Sequence, residues 1–136
     1  MAIVNKIEFI EISSGGGGAD FGDLASIRAN VGACSNTTRG VCGGGRGPSG
    51  VNIIEHITIA STGNGTNFGD LTVARKYLAG CNNLQRGIFA GGTDSGFSNI
   101  VDFITIASTG DAADFGDLTV ARAYVSGLSN SHGGLS

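Results

Sequence analysis

Several residue types that would mark a particular class of protein are scarce in this chain of 136 residues. There is no Trp, one Pro and one Met, and only 14% of the residues are charged. Lys and Arg do not cluster, so the basic patch that binds a phosphate backbone is missing and we expect no nucleic acid partner. No apolar run is long enough for membrane insertion. The N-terminal stretch has no signal peptide pattern, because Lys6, Glu8 and Glu11 interrupt it.

Cysteine is also scarce, whereas glycine is abundant. The three cysteines are an odd number without metal-ligand spacing, which predicts free thiols in a reducing cytoplasm. Glycine accounts for 25 of the 136 residues, well above the share of ~7% that is usual in proteins. They follow no three-residue period, which excludes collagen, and they separate apolar, β-branched segments, which excludes disorder. The chain is therefore long enough for one small domain, residues 1–136, with a core of Ile, Val, Leu and Ala.

One phrase occurs three times in the sequence. FGDLTVAR stands at Phe68–Arg75 and again at Phe115–Arg122, and FGDLASIR stands at Phe21–Arg28. The phrases are 47 residues apart, and the register holds along the whole chain without a gap. The chain is thus an array of three repeat units: 1–47, 48–94 and 95–136.

Each unit predicts four short strands and no helix. Asn99–Thr109 is rich in β-branched residues and apolar on both faces, which is typical of a strand covered on both sides. Ala123–Asn130 and its equivalents predict the next strand, and Arg39–Gly45 and Arg86–Gly92 predict a strand that ends in two glycines. Four strands in a unit of this size are typical of a propeller blade, which neighbouring blades must cover. A threefold β-prism and a β-trefoil are the alternatives.

The diglycines at Gly44–Gly45 and Gly91–Gly92 make the pattern similar to a kelch repeat. The strands IEHITI and VDFITI match the strand that follows the diglycine in kelch units, whereas Phe21, Phe68 and Phe115 stand where kelch usually has Trp. The resemblance implies an all-β fold of kelch-like β-propeller blades.

Longer strings, ITIASTGNGTNFGDLTVAR, RGIFAGG and SNSHGGL, resemble kelch-like repeats in virion structural proteins of tailed cyanobacterial phages. This resemblance covers the entire chain. It implies a tail- or fibre-associated virion protein, made in the host cytoplasm, that binds other virion proteins or a host surface glycan. It implies no catalytic residue and no cofactor. A lectin-like carbohydrate-binding module is the alternative, and an enzyme is the third hypothesis.

The repeated charged residues are interpreted as scaffold rather than as catalytic residues. These are Asp23, Asp70 and Asp117, each after Phe-Gly in an expected turn, and Arg28, Arg75 and Arg122. A turn Asp accepts backbone N–H bonds, and an Arg can bond to a carboxylate or to carbonyls of the next blade. An enzyme needs one asymmetric site, whereas scaffold is needed in every unit.

Other candidate sites carry weaker signals. Asp111, Asp114 and Asp117 suggest calcium, but Asn64 and Asn67 in the second unit and Gly17 in the first weaken that signal, so we expect no metal. His56 takes the place of Phe9 and Phe103 and is expected to be packed; His132 lies in a terminal hairpin. Leu128 is equivalent to Cys34 and Cys81, which predicts that this position is buried; Cys42, equivalent to Phe89, gets the same interpretation.

Function is expected where the units differ. The segments after the diglycines, residues 46–52 and 93–99, differ most, and Arg46, Asp94 and Phe97 are the candidate partner-binding residues. Phe97 in a loop of small residues predicts either a contact residue or a side chain folded onto its own blade.

The two ends of the chain predict self-association. The N-terminal segments Ile3–Ile12 and Phe21–Ile27 supply the last two strands of a unit, and Ala123–Asn130 with the C-terminal HGGLS supplies the first two. Three blades are too few to close a propeller ring. We therefore expect a homodimer with six blades, and a trimer is the alternative.

Overall fold

The computed structural model describes residues 2–130 and 132, which form ten β-strands and no helix, so the all-β prediction is confirmed. The strands are β1 (Lys6–Phe9), β2 (Ala19–Asp23), β3 (Gly32–Ser35), β4 (Arg39–Gly43), β5 (Ile53–Thr58), β6 (Thr66–Asp70), β7 (Ala79–Asn82), β8 (Arg86–Ala90), β9 (Ile100–Thr105) and β10 (Ala113–Asp117). In this part of the chain there is accordingly no helix long and apolar enough to cross a membrane.

The strands form three separate antiparallel sheets. Strands β1 and β2 make an N-terminal hairpin, β3 to β6 make the first sheet in sequence order, and β7 to β10 make the second. Every hydrogen-bonded pair of strands is also adjacent in the sequence, as expected for short connections between antiparallel strands. The hairpin corresponds to the last two strands of each four-stranded sheet.

The phenylalanine of each repeated phrase occupies a β-bulge. Between β5 and β6, Ile54 pairs with Gly69 and Glu55 pairs with Asn67, so Phe68 has no partner in the register. Phe21 and Phe115 are skipped in the same way. A bulge re-aims the backbone, and the Phe21 and Phe68 carbonyls accept bonds from the turn glycines Gly63 (2.8 Å) and Gly110 (2.7 Å) of the next sheet.

The core lies between the first and second sheets. Phe89 of β8 is fully buried, and it packs on Gly32 and Gly43 of the first sheet, where a Cβ would come within 3.1 and 2.9 Å of its ring. The buried cluster is completed by apolar side chains from both sheets: Cys34, Val41, Ile54, Phe68, Leu71, Leu78, Ile104 and Ile106. Both faces of an internal sheet are therefore covered by its neighbours.

The first strands of the two sheets lie against each other. Strand β3 contacts β7, and a Cβ added to Gly80 would overlap the carbonyl oxygen of Ala33. Asn30 and Tyr77, which lie just before these strands, and the equivalent Tyr124 adopt the left-handed conformation, with φ of 59°, 59° and 58°. Tyr77 N donates to Asn30 O (3.1 Å) and Tyr124 N donates to Tyr77 O (3.0 Å), which ties successive units together.

Two expectations about local structure are wrong. Residues 123–130 form no strand, although their equivalents form β3 and β7; the residues that align with β4, 133–136, lie outside the described residues together with most of the predicted HGGLS strand. Asp23, Asp70 and Asp117 each end a strand instead of lying in a turn, because the bulge at the preceding Phe lets the ladder continue to the Asp.

Candidate functional site

A buried ion pair joins the first sheet to the second. Arg75 follows β6, and its Nη2 donates to Asp102 Oδ2 of β9 at 2.7 Å. Its Nη1 donates to Gly91 O and Ile100 O, each at 2.8 Å. Both side chains are completely buried. One guanidinium thus links three acceptors of the next sheet through charge-assisted bonds.

The same arrangement joins the hairpin to the first sheet. Arg28 Nη2 donates to Glu55 Oε2 at 2.6 Å, and Nη1 donates to Gly44 O (3.1 Å) and Ile53 O (2.7 Å). The carboxylates also fix the chain before each Arg: Glu55 accepts from Ala25 N (2.7 Å). The repeated Arg therefore lies between units and bonds to both a carboxylate and carbonyls.

Burial decides the electrostatics of these pairs. Desolvation lowers the pKa of Arg75, and the nearby Asp102 partly opposes that shift. The Nε atoms of Arg28 and Arg75 are buried and have no hydrogen-bond partner among the described residues. Each guanidinium is enclosed by its own structural contacts, and because its unpaired Nε–H is buried, no donor of it is accessible to a substrate.

The acidic partners are the residues that sequence reasoning missed. Glu8, Glu55 and Asp102 occupy equivalent positions, and Glu55 and Asp102 carry the ion pairs. The detectable signal is a charged residue recurring inside an apolar strand, because a strand covered on both faces buries an acid only with a counter-charge.

The third copy of the phrase has a different environment. Arg122 is exposed, and the one hydrogen bond of its side chain within the described part of the chain is a 3.4 Å contact from Nε to Val120 O. Phe115 is 52% exposed, whereas Phe68 is 2% exposed. Glu8 is exposed at the opposite end of the array. These differences arise because, within the described residues, no sheet follows the second sheet.

The three candidate partner-binding residues are all exposed. Arg46 and Asp94 lie in two different short loops. The first loop is closed by an isolated bridge between Arg46 and Gly50, and the second by an isolated bridge between Thr93 and Phe97. A Cβ at Gly50 would lie 3.5 Å from Asp94 Oδ1, so the two loops are neighbours. Phe97 is 66% exposed. The structure thus brings the two variable loops onto one surface.

The acidic turn residues accept backbone hydrogen bonds. Asp111 Oδ1 accepts from Asp70 N at 3.0 Å, and Asp114 Oδ1 accepts from Gly116 N at 3.3 Å. Asp23 lies 3.2 Å from Lys6 Nζ. Among residues 2–130 and 132, no group of three or more His, Cys, Asp or Glu side chains is arranged to hold a metal ion.

The histidines and thiols lie apart from one another. His56 packs edge-on against Phe68, with ring centroids 5.6 Å apart, as Phe9 and Phe103 do against the equivalent Phe21 and Phe115. His132 is exposed. Burial raises the pKa of the Cys34 thiol to about 12, so Cys34 is unreactive.

The equivalence to Cys34 predicts burial at position 128, and that prediction is wrong. Leu128 is 97% exposed, because the second sheet covers Cys34 whereas no sheet formed by residues 2–130 covers position 128. Cys42 and Cys81 are partly buried free thiols.

A cavity of about 600 Å³ lies between the N-terminal hairpin and the first sheet. Glu8 of β1, Leu24, Cys34 of β3 and His56 of β5 line parts of its wall. It occupies the side of β1 that has no partner strand within the described residues. In each complete sheet the corresponding space is filled by that sheet's first two strands.

A search of family models and of curated proteins finds no match to this chain.

Proposed function

We propose that this chain is a non-enzymatic structural or adhesive component of a phage virion, built of kelch-like blades and acting by binding proteins or receptors. The observation that carries the proposal is the contrast between a repeated buried frame and two variable exposed loops. The two buried ion pairs, Arg28–Glu55 and Arg75–Asp102, hold neighbouring units together. The exposed residues that differ between units lie in the loops, and these loops carry Arg46, Asp94 and Phe97.

The proposed architecture is a propeller with three units per chain and six per homodimer. Its support is the sequential antiparallel order of each four-stranded sheet and the side-by-side packing of β3 and β7, the first strands of the two sheets. The proposed partners are a second copy and either other virion proteins or a host surface glycan, and the proposed location is the virion.

Mass spectrometry of purified phage particles tests this function. We expect peptides of the chain to remain with particles through a density gradient and a high-salt wash. A tagged chain added to particles that lack it serves as the control for passive adsorption. Absence of the chain from washed particles would contradict a structural role.

A lectin-like module is the second candidate, and the exposure of Phe97 beside Asp94 favours it. Sugar sites commonly combine an aromatic face with polar side chains that accept hydrogen bonds. A glycan array separates the two functions: strong preference for one sugar class, lost in Phe97→Ala and retained in Ser95→Ala, supports the lectin, whereas uniform background supports the structural component.

A further inference from the structure

Two equivalent buried ion pairs join successive units inside the chain. Each end of the array carries one half of a third such pair. Arg28 pairs with Glu55 and Arg75 pairs with Asp102, both across 27 residues of sequence. In the same 47-residue register, the acid that corresponds to Arg122 is Glu8. Both are exposed, and Glu8 forms an ion pair with no described residue. The chain therefore carries one cation and one anion of a third pair at opposite ends.

A glycine at the C-terminal end of the array repeats the mismatch. Gly22 and Gly69 have no room for a side chain, because a Cβ would overlap the carbonyl oxygens of Gly63 and Gly110 in the next sheet. Gly116 is their equivalent and has a φ of +138°, yet a Cβ there would meet nothing within 4 Å. Gly116 therefore has the backbone conformation that lets a neighbouring turn approach closely, but no turn of the described residues approaches it. In the repeat register that turn contains Gly16.

The N-terminal end has the matching vacancy. The cavity of about 600 Å³ borders β1, which pairs only with β2 in the described part of the chain. In the first sheet, β3 and β4 occupy the equivalent space beside β5. The residues that align with β3 and β4 are 126–129 and 133–136. Ser129 Oγ accepts from Asn82 N at 3.0 Å, as Asn82 Oδ1 accepts from Ser35 N at 3.2 Å, so Ser129 keeps the regular contact between units at the far end of the array from β1.

We propose that a second copy of this chain completes both ends, with Arg122 of one copy paired with Glu8 of the other and the C-terminal segment seated beside β1. Thr119 joins the pair as Thr72 joins the internal one, where Thr72 N and Oγ1 donate to Asp102 at 3.2 and 2.6 Å. Two copies form two such junctions and leave no end free. This inference deepens the proposed assembly role and rests on it only for the premise that copies meet.

Charge reversal tests the pairing directly. Arg122→Glu and Glu8→Arg each place like charges at both junctions, so each variant alone should self-associate at least about 100-fold more weakly than the parent in sedimentation equilibrium. Mixing the two variants should restore a dimer, since one junction is then native and the other carries the reversed pair. A ring of three copies cannot alternate two variants, so restored association excludes a closed trimer, and the sedimentation mass of the mixture identifies the dimer.

A matched control separates this effect from net charge. Lys76→Glu makes the same change of charge as Arg122→Glu, at a position in the middle of the array that forms no ion pair with any described residue, and should associate like the parent. All three variants keep the internal pairs of Arg28 and Arg75, so their β-sheet circular dichroism should match that of the parent.

Cross-linking provides a second test that leaves the ion pair intact. Asp111 Oδ1 lies 3.0 Å from Asp70 N at the internal junction, and the equivalent residues across the proposed junction are Gly17 and Asp117. Chains carrying Gly17→Cys and chains carrying Asp117→Cys, mixed, should cross-link with a short bismaleimide well above a Gly17→Cys and Ser95→Cys mixture.

A folded monomer of the parent chain at micromolar concentration, or cross-linking no greater than in that control mixture, overturns the proposal. The outcome is independent of the virion experiment. A dimer that is absent from particles would refute the proposed function and leave the pairing intact.

Discussion

The same eight residues, FGDLTVAR, stand in two opposite environments in this molecule. At positions 68–75 they are packed between two sheets, with Phe68 2% exposed and Arg75 fully buried. At positions 115–122 they face solvent, with Phe115 52% exposed and Arg122 exposed. Because the local sequence is identical, the difference comes entirely from the sheet that follows one copy and not the other.

This comparison shows which interactions belong to a unit and which belong to a junction. The bulge at Phe68 and the bulge at Phe115 are both formed, so the bulge is a property of the unit. The ion pair, the burial of Phe and the tight approach at Gly69 depend on a neighbour. Substitutions that strike a junction should therefore have unequal effects at equivalent positions.

The largest expected difference is between Arg75→Ala and Arg122→Ala. Removing Arg75 leaves the Asp102 carboxylate buried without a counter-charge, which should lower the free energy of unfolding by about 3–5 kcal/mol. Removing the exposed Arg122 should change it by less than about 0.5 kcal/mol in dilute, non-associated protein. Urea denaturation measures both, and equal losses would contradict the junction model.

The glycine pair Gly69 and Gly116 sharpens the comparison at the backbone. Both have positive φ, so Gly69→Ala and Gly116→Ala share a conformational strain of about 1 kcal/mol. Only Gly69→Ala also forces a Cβ into the Gly110 carbonyl, which should add about 1–3 kcal/mol. Thermal unfolding of the two variants, in protein too dilute to associate, gives the difference directly; Gly63→Ala, in open space, is the matched control.

The loop residue Phe97 should affect binding and leave folding unchanged. Its side chain is 66% exposed, so Phe97→Ala should shift the melting temperature by less than about 2 °C, in line with the small effects of surface substitutions. Association with the cognate virion protein or glycan, measured by surface plasmon resonance, should weaken. Loss of stability without loss of binding would assign Phe97 to its own loop.

The smallest expected effect concerns His56, which stands where Phe103 stands in the next unit. Burial, followed by the nearby Arg39, lowers the pKa of His56 from 6.5, so the fold favours the neutral ring. Its contribution to stability is thus present above the unfolded pKa and declines as the pH falls below about 6.5. His56→Phe should reduce the drop in melting temperature between pH 7.5 and 5.5. An identical drop in the variant and the parent would show that protonation of His56 does not contribute to it.

Much of the fold follows from the sequence, because strand periodicity and a 47-residue repeat are local properties. Alternation in Asn99–Thr109 gives β9, and the exact spacing of the phrases gives equivalent sheets. The bulge at Phe68 could not be predicted, since it depends on where the ladder to β5 slips by one residue. The recurring acids Glu55 and Asp102 could be identified as buried, but which of the two Arg75 meets depends on how two sheets stack.

The candidate site was predictable in part for the same reason. Arg46, Asp94 and Phe97 were identifiable because they break a repeat, and repeats constrain what is shared. The exposure of Leu128 was not predictable from its equivalence to Cys34, because equivalence in sequence does not supply the covering neighbour.

The hydrogen bonds between Asn30, Tyr77 and Tyr124 have one further consequence. Each bond runs from the N–H of a later unit to the carbonyl of the earlier one, so both point the same way along the array. The series therefore has a direction, and its last member within the described residues is Tyr124, whose carbonyl lies at the end of the array. A unit that joined in the same orientation would present an N–H to this carbonyl, whereas a unit in reversed orientation would present a second carbonyl, which cannot donate.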